Sequence, residues 1–210
     1  MSTTSLRILD QAERLFAEQG FNETSLRAIT SAAEVNIASV NYHFGSKKNL
    51  IQAVFNRYLE DFYSGYNEQI SALAVDSQAV TQRQAIEAAI IAMLGRDLNV
   101  ARARRFMMLL RHAYAQQQGH LRRFIQDHYN DDYRRMIQHL AGKKLQDGAK
   151  LKFYWRLQFL MGAAMFSLAE FDTLDAIADA QYHERISTHE LLDLFIPTAL
   201  AILNPQSEEC

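Results

Sequence analysis

No proline occurs before Pro197 in this chain of 210 residues, and Pro205 is the only other. A proline inside a helix removes a backbone hydrogen bond and clashes with the preceding turn. Nothing of that kind interrupts the first 196 residues. Gly20, Gly45, Gly95, Gly119, Gly142 and Gly148 fall between apolar-periodic segments. No sustained period-two alternation rich in Val, Ile and Thr is present, so strands have no support. The chain is predicted to be all-α. At 49% hydrophobic residues it has the material to bury roughly 70% of its unfolded surface. Its one cysteine, Cys210, excludes an intramolecular disulfide and a Cys-based zinc site and suits a reducing compartment. Met1 to Asp10 lacks a signal-peptide pattern. The longest uncharged run inside the expected folded part, Leu157–Ala169, has 13 residues, short of the roughly 20 needed to span a bilayer. A cytoplasmic protein with no membrane partner is expected.

Apolar spacing predicts a first helix over Leu6–Glu18, stopped near Gly20. A second opens at Thr24 or Ser25, both good N-caps. A break at Glu34–Val35 precedes a third helix capped by Asn36 and reaching about His43. Ser46 caps a long fourth helix that carries Leu50, Val54, Phe55, Tyr58, Phe62, Tyr66 and Ile70. Further helices are expected near 81–94, 100–116, 120–140, 149–170 and 187–203. The acidic stretch Asp172–Ser187 reads as a loop or broken helix. Leu157–Ala169 is apolar on every side and should be buried all round. Pro197 should kink the last helix.

Three short helices with a tight break between the second and third fit a helix-turn-helix at about 25–44. That motif asks the second helix to offer its N-terminus to a phosphate. Thr24, Ser25 and Arg27 stand there. It asks the third helix for a polar outer face, met by Asn36, Ser39, Asn41, Tyr42 and His43, and an apolar inner face, met by Val35, Val40 and Phe44. Tyr42 and His43 are equally compatible with packing roles. The fourth helix opens Ser46–Lys47–Lys48.

The pattern RILDQAERLFAEQGFNETSLRAITSAAEV followed by NYHFGSKKNLIQAVF resembles the TetR family of bacterial repressors. The resemblance covers about residues 6–55 in order. It implies a DNA-binding domain over 1–60 and a helical effector-binding and dimerisation domain over 61–210. It implies phosphate contacts by Thr24 or Ser25, Tyr42, His43 and Lys47, with Asn36, Ile37, Ser39 and Asn41 facing bases or their flanking phosphates. Ala38 matches a small position where the helix nears the groove. Glu34 departs from the family's usual glycine, so mild backbone strain is expected there. Asn, Ala and Ile suit adenine and the thymine methyl, which leans toward A·T-containing half-sites.

Charge agrees only locally. Residues 1–60 balance to zero, whereas 24–57 carry a net of +3. Residues 96–156 carry +9 and 157–210 carry −8. Paired basics at Arg104–Arg105, Arg122–Arg123, Arg134–Arg135 and Lys143–Lys144 read as solvated faces or as a dock for an anionic head, with extra DNA contacts as a weaker third reading because the motif already assigns DNA to the other unit. Nearby apolar residues complete a candidate ligand site: Arg105, Phe106, Met107, Leu110, Arg111, Tyr114, Phe159 and Phe166. Met-rich surfaces conform to elongated ligands, although each residue alone also fits plain core.

The resemblance further implies pairing of the last two long helices across a two-fold axis. Leu160, Gly162, Ala163, Ala164, Leu194, Phe195 and Leu200 are the candidates, with intrachain packing as the alternative. The wording of residues 27–55 is similar to the PsrA-type branch. That implies a long-chain fatty acid or acyl-CoA as effector and fatty-acid metabolism genes as targets; another hydrophobic effector, with efflux or stress genes, is the alternative. His120, Asp127, His128, Asp131 and Asp132 invite a metal-enzyme reading. With no HExxH, triad signature or Gly-rich phosphate loop, a polar surface is the better reading, and no cofactor, metal or enzymatic activity is expected.

Overall fold

Most of the helices begin where short polar side chains satisfy free backbone N–H groups. A computed structural model describes residues 2–74, 79–95, 97, 99–116, 118–141 and 150–204. Among these, all regular structure is helical: α1 (Thr3–Glu23), α2 (Leu26–Ala32), α3 (Ile37–Phe44), α4 (Lys47–Leu73), α5 (Gln82–Leu94), α6 (Val100–Ala115), α7 (Gly119–Ala141), α8 (Lys150–Ala169), α9 (Phe171–Tyr182) and α10 (Thr188–Leu203). Ser2, Ser25, Asn36, Ser46, Thr81 and Ser187 each accept from a backbone N–H three residues on. Gly142, Lys143, Lys144, Gly148, Pro205 and Cys210 lie outside the described residues.

Of the acidic stretch expected as a loop or broken helix, the first part is helix α9, separated from α8 at Glu170. Its anchors are Arg104, which pairs with Asp172 at 2.5 Å, and Arg185, which pairs with Asp179 at 2.9 Å. Those partners lie far away or just beyond the helix end, out of reach of a local periodicity argument. Pro197 sits inside α10, which continues to Leu203.

The chain divides into two compact units. Unit 1 comprises Met1–Asp61 and Arg105–Asn130; unit 2 comprises Phe62–Arg104 and Asp131–Cys210. The first unit thus recruits the second part of α6 and the start of α7, beyond the expected border at residue 60. Phe106 explains why: it stacks on Tyr58 at 4.8 Å between ring centroids and meets Phe55 edge-on at 5.9 Å. Ile8, Phe16, Phe21, Ile29, Val40, Leu50, Val54, Phe55 and Leu109 complete this core, each at most 1% exposed. Within it Glu13 is 6% exposed. Its carboxylate accepts from the Tyr58 hydroxyl at 2.7 Å, from Arg105 at 3.0 Å and from Arg57. A buried carboxylate tolerates that burial only when so paired.

Unit 2 centres on Ala85, Ile86, Leu140, Phe153, Leu157, Leu160, Ala199 and Leu203. Beside it, Tyr66, Ile70, Ala88 and Ala92 form a second cluster. The Tyr66 hydroxyl lies 3.2 Å from His139 Nδ1. Burial pushes the Tyr66 phenol well above its ordinary value. Burial, then the Arg135 charge, pushes His139 down.

Candidate nucleic-acid interface

α1 leads into the motif through a kink. Gly20 has φ of +82°, a conformation that favours glycine. A Cβ there would also stand 2.5 Å from Gln116 Nε2 and 2.9 Å from His112 Nδ1. Gln116 Oε1 accepts from the backbone N–H groups of Phe21 and Asn22 at 2.9 and 3.0 Å. It thereby satisfies donors that the kink releases from the helix ladder.

Thr24 does not face solvent. It is fully buried, and its hydroxyl donates to the carbonyls of Leu15 and Gly20. It closes α1 and cannot reach a phosphate, which corrects the first of the two expected N-caps. Ser25 is the cap of α2, accepting from Ala28 N–H at 3.0 Å, and Arg27 is exposed beside it.

The turn from α2 to α3 is held by Val35 N–H donating to the Thr30 carbonyl at 3.0 Å. Glu34 sits in it with φ of +53°, the left-handed region that costs a residue with a Cβ about 1–2 kcal/mol. The strain expected from glutamate at this position is present. α3 then buries Val40 and Phe44 and leaves Asn36, Ile37, Ala38, Asn41 and Tyr42 exposed, with Ser39 and His43 half-buried. Tyr42 is 85% exposed and stands edge-on to His43 at 5.0 Å. Such exposure excludes a core-packing role for Tyr42. Gly45, with φ of +73°, ends the helix by donating to the Asn41 carbonyl at 3.0 Å. Lys47 is half-buried; desolvation lowers its ammonium below the ordinary value, and the nearby Glu23 partly offsets this.

The expected ligand residues are not assembled in one unit. Arg105, Phe106 and Met107 belong to unit 1, where Arg105 pairs with Glu13 and the other two are buried in the core. Leu110, Arg111 and Tyr114 follow on α6, with Tyr114 65% exposed. Phe159 and Phe166 belong to unit 2 and are 63% and 61% exposed. Aromatic packing of Phe106 on Tyr58 outcompetes cavity lining, a long-range outcome that local composition does not carry.

α8 is not buried all round. Phe153, Leu157, Leu160 and Ala164 face the core, whereas Trp155, Phe159, Gly162, Ala163 and Phe166 are exposed in the single chain. Leu160 and Ala164 therefore leave the expected dimer set, being held inside their own unit. On α10, Leu194 is 60% exposed, while Phe195 and Leu200 pack against the core.

Each unit has an open groove. One, of about 440 Å³, is lined by Leu9, Gln52, Asn56, Glu60, Phe124 and His128 among others. Here His128 stacks on Phe124 at 4.3 Å and its Nδ1 meets the Phe124 carbonyl. The other, of about 500 Å³, combines Ala178, Tyr182, Ile186 and Leu194 with Glu184, Arg185, Glu190 and Asp193. No group of three or more His, Cys, Asp or Glu placed to hold a metal occurs among the described residues. Asp132 instead accepts from Asn67 and Arg135. No described helix is long and apolar enough to cross a membrane.

Similarity to known proteins falls on two stretches of the chain. Residues 8–54 match the bacterial regulatory proteins of the tetR family, and residues 87–201 match the tetracyclin repressor-like C-terminal domain. The probable HTH-type transcriptional regulator YttP of Bacillus subtilis is 33% identical over 86 residues, 40% of each chain. The HTH-type transcriptional repressor KstR2 of Rhodococcus jostii is 36% identical over 75 residues, 36% of each chain. The match thus spans about two-fifths of these relatives. Among solved structures, a TetR-like transcriptional regulator from Rhodococcus sp. RHA1 superposes with a TM-score of 0.60 at 21% identity, covering 96% of both chains. The fatty acid degradation regulator FadR from Bacillus halodurans gives 0.61 at 14% identity, covering 99% of this chain and 98% of its own. These likenesses show a common fold.

Proposed function

As this chain belongs to the TetR family of bacterial regulatory proteins, we propose that it is a ligand-responsive repressor that binds a palindromic operator as a homodimer. The observation that carries this reading is the exposed face of α3. Asn36, Ile37, Ala38, Asn41 and Tyr42 stand free of the core, on a helix fixed by an Asn36 cap and a Gly45 stop. Asn36 spends its Oδ1 on the cap, so Asn41 is the better candidate for adenine. Ser25, Arg27, Tyr42, His43 and Lys47 are the phosphate-contacting set, and such contacts position the helix without reading sequence.

The exposed α8 face of Trp155, Phe159, Gly162, Ala163 and Phe166, with Leu194 of α10, is the surface proposed to meet a second copy. A contiguous apolar face of this kind needs a cover in water. In the C2 dimer the same patch serves both protomers, and it sets the distance between two reading heads.

The proposed effector is a long-chain fatty acid or acyl-CoA, and the proposed targets are fatty-acid metabolism genes. Support comes from the similarity of residues 27–55 to the PsrA-type branch; the likeness to FadR supports the fold only. An acidic groove favours a second reading. Tyr182, Ile186 and Leu194 offer apolar contact beside Glu184, Glu190 and Asp193, a lining suited to a hydrophobic cation and an efflux- or stress-type regulator. In either case the ligand acts by preferring the DNA-incompetent state. Genomic-fragment selection with the purified chain, with and without oleate and oleoyl-CoA, separates these readings. Loss of an enriched palindrome on adding the lipid supports the first; a palindrome indifferent to lipids but lost with a hydrophobic cation supports the second. No enrichment at all overturns the DNA assignment.

A further inference from the structure

Unit 1 carries a second group of positive side chains outside α3. Lys48 lies in the first turn of α4, and His120, Arg122 and Arg123 lie at the start of α7. Gln52 Nε2 donates to the His120 carbonyl at 3.3 Å, which brings the start of α7 against the second turn of α4. Gln52 and Lys48 are four residues apart and share a helix face. The Lys48 and Arg123 charges, after burial, are what lower the His120 imidazole.

Lys48, Arg122 and Arg123 are exposed and form no ion pair among the described residues. Asp127, one turn beyond Arg123, pairs with neither arginine. Three arginines of the unit are engaged instead: Arg14 by Glu18, Arg57 by Asp10 and Glu13, Arg105 by Glu13. His120 Nε2 lies 2.8 Å from Gln118 Oε1, while its Nδ1 is buried without a partner. The group follows closely on α3 in the chain, since only Gly45, Ser46 and Lys47 separate Phe44 from Lys48. A polyanion with repeating charges fits such an edge.

We propose that Lys48, Arg122 and Arg123 form a second phosphate-binding edge that grips the DNA backbone outside the base pairs faced by α3. The inference rests on the DNA-binding reading above. It widens each half-site footprint and makes affinity depend on flanking duplex that is not read as sequence.

The test uses the full chain and two duplexes: one centred on the selected palindrome with long flanks, the other trimmed to the palindrome. Arg122→Gln with Arg123→Gln is compared with wild type by fluorescence anisotropy over a salt series. The slope of log affinity against log salt should fall by about 0.9 for each phosphate that the variant no longer neutralises. The long duplex should be weakened at least about tenfold and the trimmed one little changed, with thermal unfolding as in wild type. Lys48→Gln should act in the same direction. An unchanged slope and affinity on the long duplex overturns the edge while leaving α3 as the reader. An equal loss on both duplexes also overturns it, because the arginines would then act through the fold. Wild-type chain that binds no duplex overturns the DNA reading and the edge together.

Discussion

α3 and α8 both present outward faces, but of opposite chemistry. α3 offers Asn36, Asn41 and an 85% exposed Tyr42; α8 offers Trp155, Phe159 and Phe166, each more than half exposed. A polar face is content in water; for the proposed reading of DNA, what it needs is rigid placement. Unit 1 supplies that through the Ser25, Asn36 and Ser46 caps, the Gln116 contact at the α1 kink and the Glu13 hub. An apolar face is not content in water, and on the reading proposed above a second copy covers it. On that reading, precision falls to one unit and association to the other.

The largest effect should come from breaking the apolar face. Phe159→Glu with Phe166→Glu places four carboxylates across a two-fold interface and removes rings whose burial contributes about 1.5–3 kcal/mol each. Sedimentation should show the dimer weakened by more than about a hundredfold, with each monomer still helical by circular dichroism. Operator affinity should fall with it. A variant that remains dimeric would move the interface elsewhere.

Next in size is the hub. Glu13→Gln keeps the shape but removes the charge facing Arg57 and Arg105, which are 30% and 45% exposed and so partly screened. About 2 kcal/mol of stability should be lost, below the roughly 3–5 seen for fully buried pairs, read as a lower melting temperature. Tyr42→Ala should do the reverse: melting unchanged, operator affinity down about tenfold on every sequence tested, as expected of a phosphate contact. If Tyr42→Ala unfolded the protein and Glu13→Gln did not, the contrast between a scaffold and a reading face would fail.

Much of unit 1 was legible because its signals are local. A capping serine, an Asn36 three residues before Ser39, a Gly45 stop and a glutamate where glycine is usual each speak through neighbours in sequence. Thr24 misled because two adjacent hydroxyls compete for one cap; Thr24 turned inward only because the Leu15 and Gly20 carbonyls lie within reach. The ligand set misled for a longer-range reason. Phe106 and Phe159 look alike in sequence, yet one meets Tyr58 across 48 residues and the other stays 63% exposed. α8 showed the same limit: uniform greasiness does not say which half faces the core and which stays exposed in the single chain.

Acid sharpens the contrast further. Burial lowers the pKa of His112, a shift that its contact with the Ala17 carbonyl opposes and the Arg111 charge deepens. The folded chain then holds fewer protons than the unfolded chain just below the ordinary histidine value of about 6.5. Stability is fully present above that value and is lost as pH falls toward the depressed folded value. His120 and His139 are lowered too, so melting temperature should decline on acidification before carboxylates titrate. His112→Gln, which can still donate to Ala17, should make that decline shallower.

The smallest expected effect is a gain. Glu34 carries left-handed strain in the turn before α3, and its side chain is exposed. Glu34→Gly relieves the Cβ clash but loosens the unfolded chain, so the net stabilisation should be about 0.5–1 kcal/mol. Operator affinity should rise slightly, because a negative charge leaves the neighbourhood of phosphates, and the gain should shrink with added salt. Glu34→Gln separates the two contributions: it keeps the backbone strain and removes the charge. Affinity that rises in both variants assigns the effect to charge. A rise confined to glycine assigns it to the turn, and places the α2–α3 angle, rather than its electrostatics, in control of how α3 enters the groove.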